Sequence, residues 1–580
     1  MNYFKDKYIT SFFVVLLLFI IFFSFGTKLP NEHRRGFYSD ESSYFSIIQS
    51  LAYDLDITYT RQDLIRIKER YPGGPVGVYL KEGKDGRITY AKPFIYPLFA
   101  APFFRVFDVN GILLFNGLML FFIILMGYVL LRFYFPPNKS LSTILLFIFC
   151  SVTWIYTWWV TSDLFNFFCL FAGLFFFFFP FKRKAWFYMS GLFFTLFILS
   201  KPTNLAAVGI IFLILLCRKD WRRFVVLSLI CLVILSFFLM FYYQQTDELN
   251  YKLYYGGNRA SFYNQFPLEK PEYKFESKVK TTADDYWKRI YITPKIAALN
   301  IFYYIFGRFT GVFIYFFPAV FFGLLFLFQA GEKRKEDWFV LAAAVVSILV
   351  ACILFAADSY FGGSGSLGNR YFLNIFPFFF FLGFRTRGFK FSLVPMMVAA
   401  ILLAPTFMDA VFYSYRPRMA GVGFPINLFP VEKTQYPHLP TNENPRSRDL
   451  DVDGKYRIFF INDNFHPLED GHFWTNGRKE VELLLLAPKR VKTFVATLRN
   501  SPLKNKAYIR FEHRLKGGVL VPNEKRSVTF EGIGGTRVTG GYLYHITVKS
   551  DASYCAYFEE ENSEDKRWLG INVHIDMMYE

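Results

Sequence analysis

About eleven stretches of this chain are too apolar to remain in water. Runs near residues 10–26, 111–133, 141–158, 164–181, 185–200, 203–217, 224–243, 298–329, 337–357, 371–384 and 390–412 are long enough, singly or as paired shorter pieces, to cross about 30 Å of hydrocarbon. Lipid offers the backbone no hydrogen-bond partners, so such runs are expected as helices packed into a polytopic bundle. The composition agrees, at 53% apolar and 21% aromatic. The 77 Phe accompany abundant Tyr, Ile, Lys and Asn, a pattern of nucleotide bias that carries no functional weight.

The charges between the runs set a direction, because short cytoplasmic loops carry Lys and Arg. Lys5 and Lys7; Arg132 and Lys139; Lys182, Arg183 and Lys184; Arg218, Lys219, Arg222 and Arg223; Lys333, Arg334 and Lys335; and Arg385, Arg387 and Lys390 alternate with the opposite short loops Trp158 to Asp163, Ser200 to Thr203 and Asp358 to Arg370, which hold only Lys201 and Arg370 between them. The expected topology has a cytoplasmic N-terminus and an outside C-terminus, in the inner (cytoplasmic) membrane. Much of the net charge of +19 is this signal, so no nucleic-acid partner is needed. The first run has basic flanks and no small-residue cleavage site after it, and reads as a retained anchor. Of six cysteines only Cys555 lies in the tail, which gives neither a disulfide framework nor Cys/His metal spacing. His33, His466, His472 and His574 show no ligand spacing either, so no metal is assigned to them.

Two long outside loops, 27–93 and 244–297, interrupt the runs. In the first, Tyr44, Ile47, Ile48 and Leu51 recur at helical spacing within Ser42 to Leu55, which predicts an amphipathic helix lying on the bilayer surface. Leu64 to Arg70 predicts a second helix, and Tyr71-Pro72-Gly73-Gly74-Pro75 a turn. The expected domains are a membrane domain over 1–412, a linker over 413–450, and a C-terminal β-sandwich over 451–580. Its strands are predicted at Tyr456 to Ile461, Val481 to Leu486, Lys492 to Leu498, Tyr508 to Phe511, Val519 to Val521, Val528 to Phe530, Tyr542 to Val548, Tyr554 to Phe558 and Ile571 to Ile575.

Charge beside a membrane span is costly and usually has a task. Asp40 with Glu41, Asp163, Lys201, and the run Gly362-Gly363-Ser364-Gly365-Ser366-Leu367-Gly368-Asn369-Arg370-Tyr371 all fall on the predicted outer side. Carboxylates there can act as base or hold a cation, and cations there can hold a phosphate. That pairing suits sugar transfer from a polyprenyl phosphate, which needs a base for the acceptor hydroxyl and positive charge beside the departing phosphate. Asp40 is then the base, and Glu41 orients it or binds a divalent ion. Arg370 offers a planar fork to phosphate oxygens, and Lys201 a point charge. Amides of the glycine-rich run are placed to approach an anion, or the run is a flexible connector. Structural roles also fit these residues: capping for Asp40 and Asp163, interface anchoring for Arg370 and Lys201. Trp154, Trp158 and Trp159 read as an interfacial aromatic belt, and Trp474 and Trp568 as core.

Four motifs carry a resemblance: Ser39-Asp40-Glu41-Ser42-Ser43-Tyr44-Phe45, Lys92-Pro93-Phe94-Ile95-Tyr96-Pro97-Leu98, Thr161-Ser162-Asp163, and Gly368-Asn369-Arg370-Tyr371. Together, over residues 8–412, they resemble bacterial membrane glycosyltransferases of the type C superfold, of the protein O-mannosyltransferase-like and aminoarabinose-transferase-like kinds. The resemblance implies catalytic first-loop acids (Asp40, Glu41), a polyprenyl-phosphate sugar as donor, and inversion at the anomeric carbon. Asp163, Lys201, Asn369 and Arg370 are the expected substrate-binding residues. Membrane lipid and an outside glycan, lipid or protein acceptor are the expected partners. The alternative is a transporter or flippase of a lipid-linked or anionic substrate. Transporters usually carry paired repeats and ionisable residues near the midplane, whereas here the charges gather at one surface.

Overall fold

The computed structural model describes residues 6–29, 36–83, 86–246, 259–263, 265–270, 275, 294–328, 333–354, 359–363, 365–383, 393–440, 449–477, 479–538, 540–561 and 563–580. Arg385, Arg387, Lys390 and Ser364, together with most of the second long loop, lie outside the described residues. The chain divides into two compact units, one of residues 1–362 with 366–420 and one of 421–580 with 363–365.

The first unit is built on apolar helices. Among the described residues four are long and apolar enough to cross a membrane: α1 (Lys7–Gly26), Ile95–Leu131, Trp221–Thr246 and Lys335–Ile353. A fifth candidate is a pair bent by 66°, Pro137–Phe149 with Val152–Trp158. The other expected runs carry shorter helices, Asp163–Phe178, Lys184–Ser200, Pro202–Cys217, Phe317–Phe328, Arg370–Leu382 and Val394–Met408. At about 1.5 Å per residue these fall short of a full bilayer crossing. Several breaks have visible causes. Pro202 ends one helix of a pair, and Ser151 caps the bend after Cys150 by accepting from the Thr153 amide.

The first long loop folds into α2 (Asp40–Tyr53), α3 (Arg61–Arg70) and a small sheet. α3 opens with a capping box between Thr60 and Asp63. In the sheet, β2 (Pro75–Glu82) pairs in parallel with β1 (Phe37–Tyr38) and antiparallel with β3 (Ile88–Tyr90) and β4 (Arg259–Tyr263), the last supplied by the second long loop. The expectation that the first helix lies on the bilayer surface is corrected here: every residue of α2 from Ser42 to Leu51 is buried. Its polar face is mostly serine, small enough to let protein pack close. Ser46 Oγ donates to Ser42 O, and Ser43 Oγ accepts from the Tyr79 amide. α2 packs against β2 and α4 (Ile95–Leu131), which begins well before its predicted span and bends at Asp108, with φ 55°. A Cβ at Gly111 would sit 2.0 Å from the Phe103 carbonyl, so the bend closes only on glycine. The tryptophans are corrected as well. Trp158 and Trp159 are buried, and Trp159 Nε1 donates to Ser414 O at 2.6 Å, which ties the bent pair to protein rather than to headgroups.

The second unit is all antiparallel sheet around one core. Its strands are β5 (Asp449–Val452), β6 (Tyr456–Phe460), β7 (His472–Trp474), β8 (Val481–Ala487), β9 (Val491–Asn500), β10 (Asn505–Phe511), β11 (Arg514–Leu520), β12 (Lys525–Glu531), β13 (Thr536–Val538), β14 (Gly541–Ser550) and β15 (Ile571–Tyr579). One sheet runs β11-β10-β14-β8-β6-β5 with β13 on β14, and the other β12-β9-β15-β7. Inward side chains of both meet, as where Phe494 of β9 stacks on Phe511 of β10 at 4.1 Å between centroids. The predicted strand at Tyr554 to Phe558 is instead a single bridge at Tyr554 followed by a short helix, Ala556–Glu559. Trp568 is 45% exposed beside Phe558 and not core.

Phe494→Ala should destabilise the second unit by about 3–5 kcal/mol, the usual cost of an aromatic-sized core cavity. The full chain reports this through Cys555, buried in the same unit. Its thiol should become reactive at a lower temperature in the variant, and an unchanged onset would show that the two sheets do not share that core.

Candidate active site

Asp40 occupies the first turn of α2 because the residue before it takes an unusual backbone. Ser39 has φ 54° and ψ −120°, a conformation that costs energy in a residue with a Cβ and clusters at functional sites. It is held there by its amide, which donates to Val76 O at 2.7 Å. Gly77, at φ +80°, lets β2 come this close: a Cβ there would stand 3.3 Å from the Ser39 nitrogen. So positioned, the Asp40 carboxylate meets two cations. Oδ1 lies 2.6 Å from Lys92 Nζ and Oδ2 lies 2.7 Å from Arg370 Nη2. Arg370 Nη1 in turn faces Asp163 Oδ2 at 3.9 Å.

Each partner comes from a different part of the chain. Lys92 sits in the short junction between β3 and α4, with its ammonium 4.9 Å from the centre of the Tyr79 ring. Asp163 is the first residue of α5 (Asp163–Phe178). The turn before it is fixed from α2, since Glu41 Oε1 accepts from the Val160 amide at 3.2 Å and the Tyr44 and Ser162 hydroxyls share a hydrogen bond. From α4, the buried Asn116 Nδ2 donates to the carbonyls of Thr157 and Trp159. Arg370 opens a short helix, α6 (Arg370–Ile375), and its amide donates to Phe361 O. Gly362, at φ +100°, gives the guanidinium its room: a Cβ there would lie 2.2 Å from Arg370 Nε. A Cβ on Gly368, at φ +68°, would meet Tyr315 at 2.8 Å. These two glycines are required by close approach.

The cluster is secluded but open. The Asp40 side chain is 18% exposed and that of Lys92 8%, so a substrate group can reach the carboxylate while little water surrounds it. Burial alone would push the Asp40 carboxyl up. Lys92 and Arg370 together outweigh it and hold the carboxyl well below the usual carboxylate range. Lys201 stands apart from this clasp, with its Nζ 3.1 Å from the centre of the Tyr371 ring. Burial, with Arg370 and Lys92 nearby, pushes its ammonium down to about 7 against the pull of Asp163.

The structure thus joins three of the six expected site residues, Asp40, Asp163 and Arg370, in direct contact, leaves Lys201 on the Tyr371 ring beside them, and gives Glu41 a contact with the Val160 amide. Asn369, fully buried, caps α6 with its Oδ1, which accepts from the Phe372 amide at 2.9 Å. Lys92 was missed as a site residue. The signal was present, a lysine where an outer loop enters an apolar run, the same position that singled out Lys201.

No family model matches the chain, and no curated protein matches it. Solved structures similar to it include ArnT from Cupriavidus metallidurans bound to undecaprenyl phosphate, 16% identical with a TM-score of 0.41, over 71% of this chain and 69% of that one. The apo state of the same ArnT is 14% identical at 0.40, over 69% and 64%. The Archaeoglobus fulgidus oligosaccharyltransferase in its apo form is 12% identical at 0.37, over 72% and 57%.

Lys201 sets a pH dependence. It releases its proton near 7 in the folded protein and near about 10.4 when unfolded. Between those values the unfolded chain binds more protons, so this residue makes stability rise with pH from about 7 to about 10. The melting temperature should therefore climb more steeply over pH 7 to 9 in the unmodified protein than in Lys201→Met. Equal slopes would remove the assignment.

Proposed function

We propose that this chain is an integral-membrane glycosyltransferase that moves a sugar from a polyprenyl phosphate to an acceptor on the outer face of the cytoplasmic membrane, with inversion at the anomeric carbon. The observation that carries this reading is the clasp of one carboxylate by Lys92 and Arg370 beside a bundle of apolar helices. Lipid-bound donors present their phosphate at the membrane surface, where such a pair of cations would meet it.

The donor phosphate competes with Asp40 for the two cations. As they turn to the phosphate, burial remains and their pull on Asp40 weakens, so the carboxylate gains basicity when the donor is in place. It then takes the proton of the acceptor hydroxyl. The acceptor oxygen bonds to the anomeric carbon from the face opposite the phosphate, the bond from that carbon to the phosphate oxygen breaks, and the electron pair leaves on the polyprenyl phosphate. Charge growing there is stabilised by Lys92 and Arg370 more in the transition state than before it. Asp163 keeps the Arg370 fork aimed, and Glu41 holds the α2 terminus against the 160–163 turn. The first unit, with α2, the small sheet and the apolar helices, supplies every residue of this scheme, and the sheet-rich second unit is assigned to the outer face.

Purified protein given labelled polyprenyl-phosphate sugars and glycan, lipid or peptide acceptors should release the lipid phosphate as the acceptor gains label. Failure to turn over any donor would end the reading. Within it, Asp40→Asn should lower turnover by a factor on the order of 10² or more, as for loss of a general base. Arg370→Lys keeps charge without the fork and should impair transfer, and Arg370→Ala should nearly abolish it. Normal rates in Arg370→Ala would put the phosphate elsewhere.

Gly362→Ala tests the geometry without touching a charge. Its Cβ occupies the space of the Arg370 side chain, so turnover should fall by about tenfold or more while the protein remains monodisperse. Wild-type activity in this variant would show that the observed Arg370 position is not the working one.

A further inference from the structure

Positive charge is concentrated in one part of the second unit. Residues 489–526, which run from the start of β9 into β12, hold eleven Lys and Arg against two acids, Glu512 and Glu524. Both acids are already engaged: Glu512 accepts from Lys433 Nζ and Glu524 from Arg526 Nη2, each at 2.6 Å. The remaining cations meet at β11, the last strand of its sheet, which among the described residues pairs with β10 alone. By register Leu515 and Val519 of β11 stand opposite Arg510 and Lys506 of β10. These four point out of the sandwich, because Ala507, Ile509 and Phe511 between them fill the core.

The edge is apolar as well as basic. Leu515, Val519 and Val521 are 55%, 45% and 57% exposed. Beside them Lys506 and Arg510 are exposed and, among the described residues, form no ion pair. The inner side of β11 is tied to the other sheet: Arg514 Nη1 donates to Glu531 O and Lys516 Nζ to Thr529 O, both on β12, and Arg526 Nη2 reaches back to Val519 O. That occupied carbonyl argues against addition of a further strand here. A soluble polyanion would answer the cations and leave the three aliphatic side chains in water. An anionic bilayer surface takes both, with phosphates at the cations and the aliphatic tips between headgroups and acyl chains. The unit is also tethered near lipid, since the apolar helix Val394–Met408 ends shortly before the unit begins at Gly421.

We propose that the β11 edge of the second unit docks on the surface of an anionic phospholipid bilayer, with Leu515, Val519 and Val521 at the interface and Lys506 and Arg510 on lipid phosphates. The docking does not depend on which reaction the first unit performs. It requires only that the chain be embedded in a membrane that carries acidic lipid.

Full-length protein in nanodiscs provides the test. A polarity-sensitive fluorophore is attached at Val519→Cys, or at Glu559→Cys in the acidic stretch Glu559 to Asp565, with Cys217→Ser removing the exposed native thiol. In discs of phosphatidylcholine mixed with phosphatidylglycerol, the label at 519 should shift to the blue and be quenched by a lipid spin-labelled at its headgroup, while the label at 559 stays in water. In phosphatidylcholine alone, or at about 1 M salt, where charges are screened beyond about 3 Å, both labels should report water. Lys506→Gln and Arg510→Gln should each lower the docked-to-free ratio by about fivefold, the contribution of one cation at an anionic surface. Cys555, buried in the same unit, should stay unreactive in both, which reports that they are folded. Any of five results overturns the docking: no shift at 519 in either lipid, equal shifts in both lipids, equal shifts at 519 and 559, an unchanged ratio in both charge variants, or a shift at 519 that a soluble polyanion produces and phosphatidylglycerol does not.

Discussion

The ion cluster centred on Asp40 is the constraint around which the first unit is organised, because ions taken out of water cost several kcal/mol each unless every one is compensated. Asp40 answers Lys92 and Arg370, and Arg370 answers Asp163. Removing any member would leave another uncompensated in a place with little water. The start of α2, the β3–α4 junction, the turn before α5 and the start of α6 are held together at one point by this requirement, although they lie far apart in the chain.

Holding that point takes particular backbone conformations. Ser39 accepts an unfavourable conformation, Gly77 lets a strand approach it, and Gly362 leaves a hole that the Arg370 side chain fills. A resting state in which two cations occupy the carboxylate is also self-consistent with chemistry that starts only when another anion arrives. With both cations in place the Asp40 carboxyl is held well below the usual carboxylate range, and the cations are neutralised by it.

Much of this was legible. The apolar runs, the alternation of basic loops and the strand periods after residue 450 come from local pattern, and the helices and most strands lie where those patterns put them. Asp40, Asp163, Lys201 and Arg370 stood out for the same local reason, charge beside an apolar run. Lys92 met that criterion and was passed over because nothing in its own neighbourhood pairs it with an acid 52 positions earlier. The capping contact of Asn369 is visible only once the helix after it is seen. The α2 stripe of Tyr44, Ile47, Ile48 and Leu51 has an amphipathic period, but serines opposite it are small enough to be buried too, which hydrophobic pattern does not register. The tryptophans at 158 and 159 suit a lipid interface equally well by type, and only the Ser414 carbonyl shows what holds Trp159.

The sequence by itself determined that this chain is a bundle of apolar helices followed by sheet, and which few charges stand apart from lipid, because burial period and the cost of charge act over a handful of neighbouring residues. Tertiary structure alone decided which of those charges meet. Pairing depends on distances between segments hundreds of positions apart, and on whether a backbone can turn at Ser39 or leave room at Gly362, and no local rule carries that information. Once Asp40, Lys92 and Arg370 are brought within hydrogen-bond distance, a set of isolated charges becomes a carboxylate clasped by two cations, the arrangement on which the proposed transfer rests.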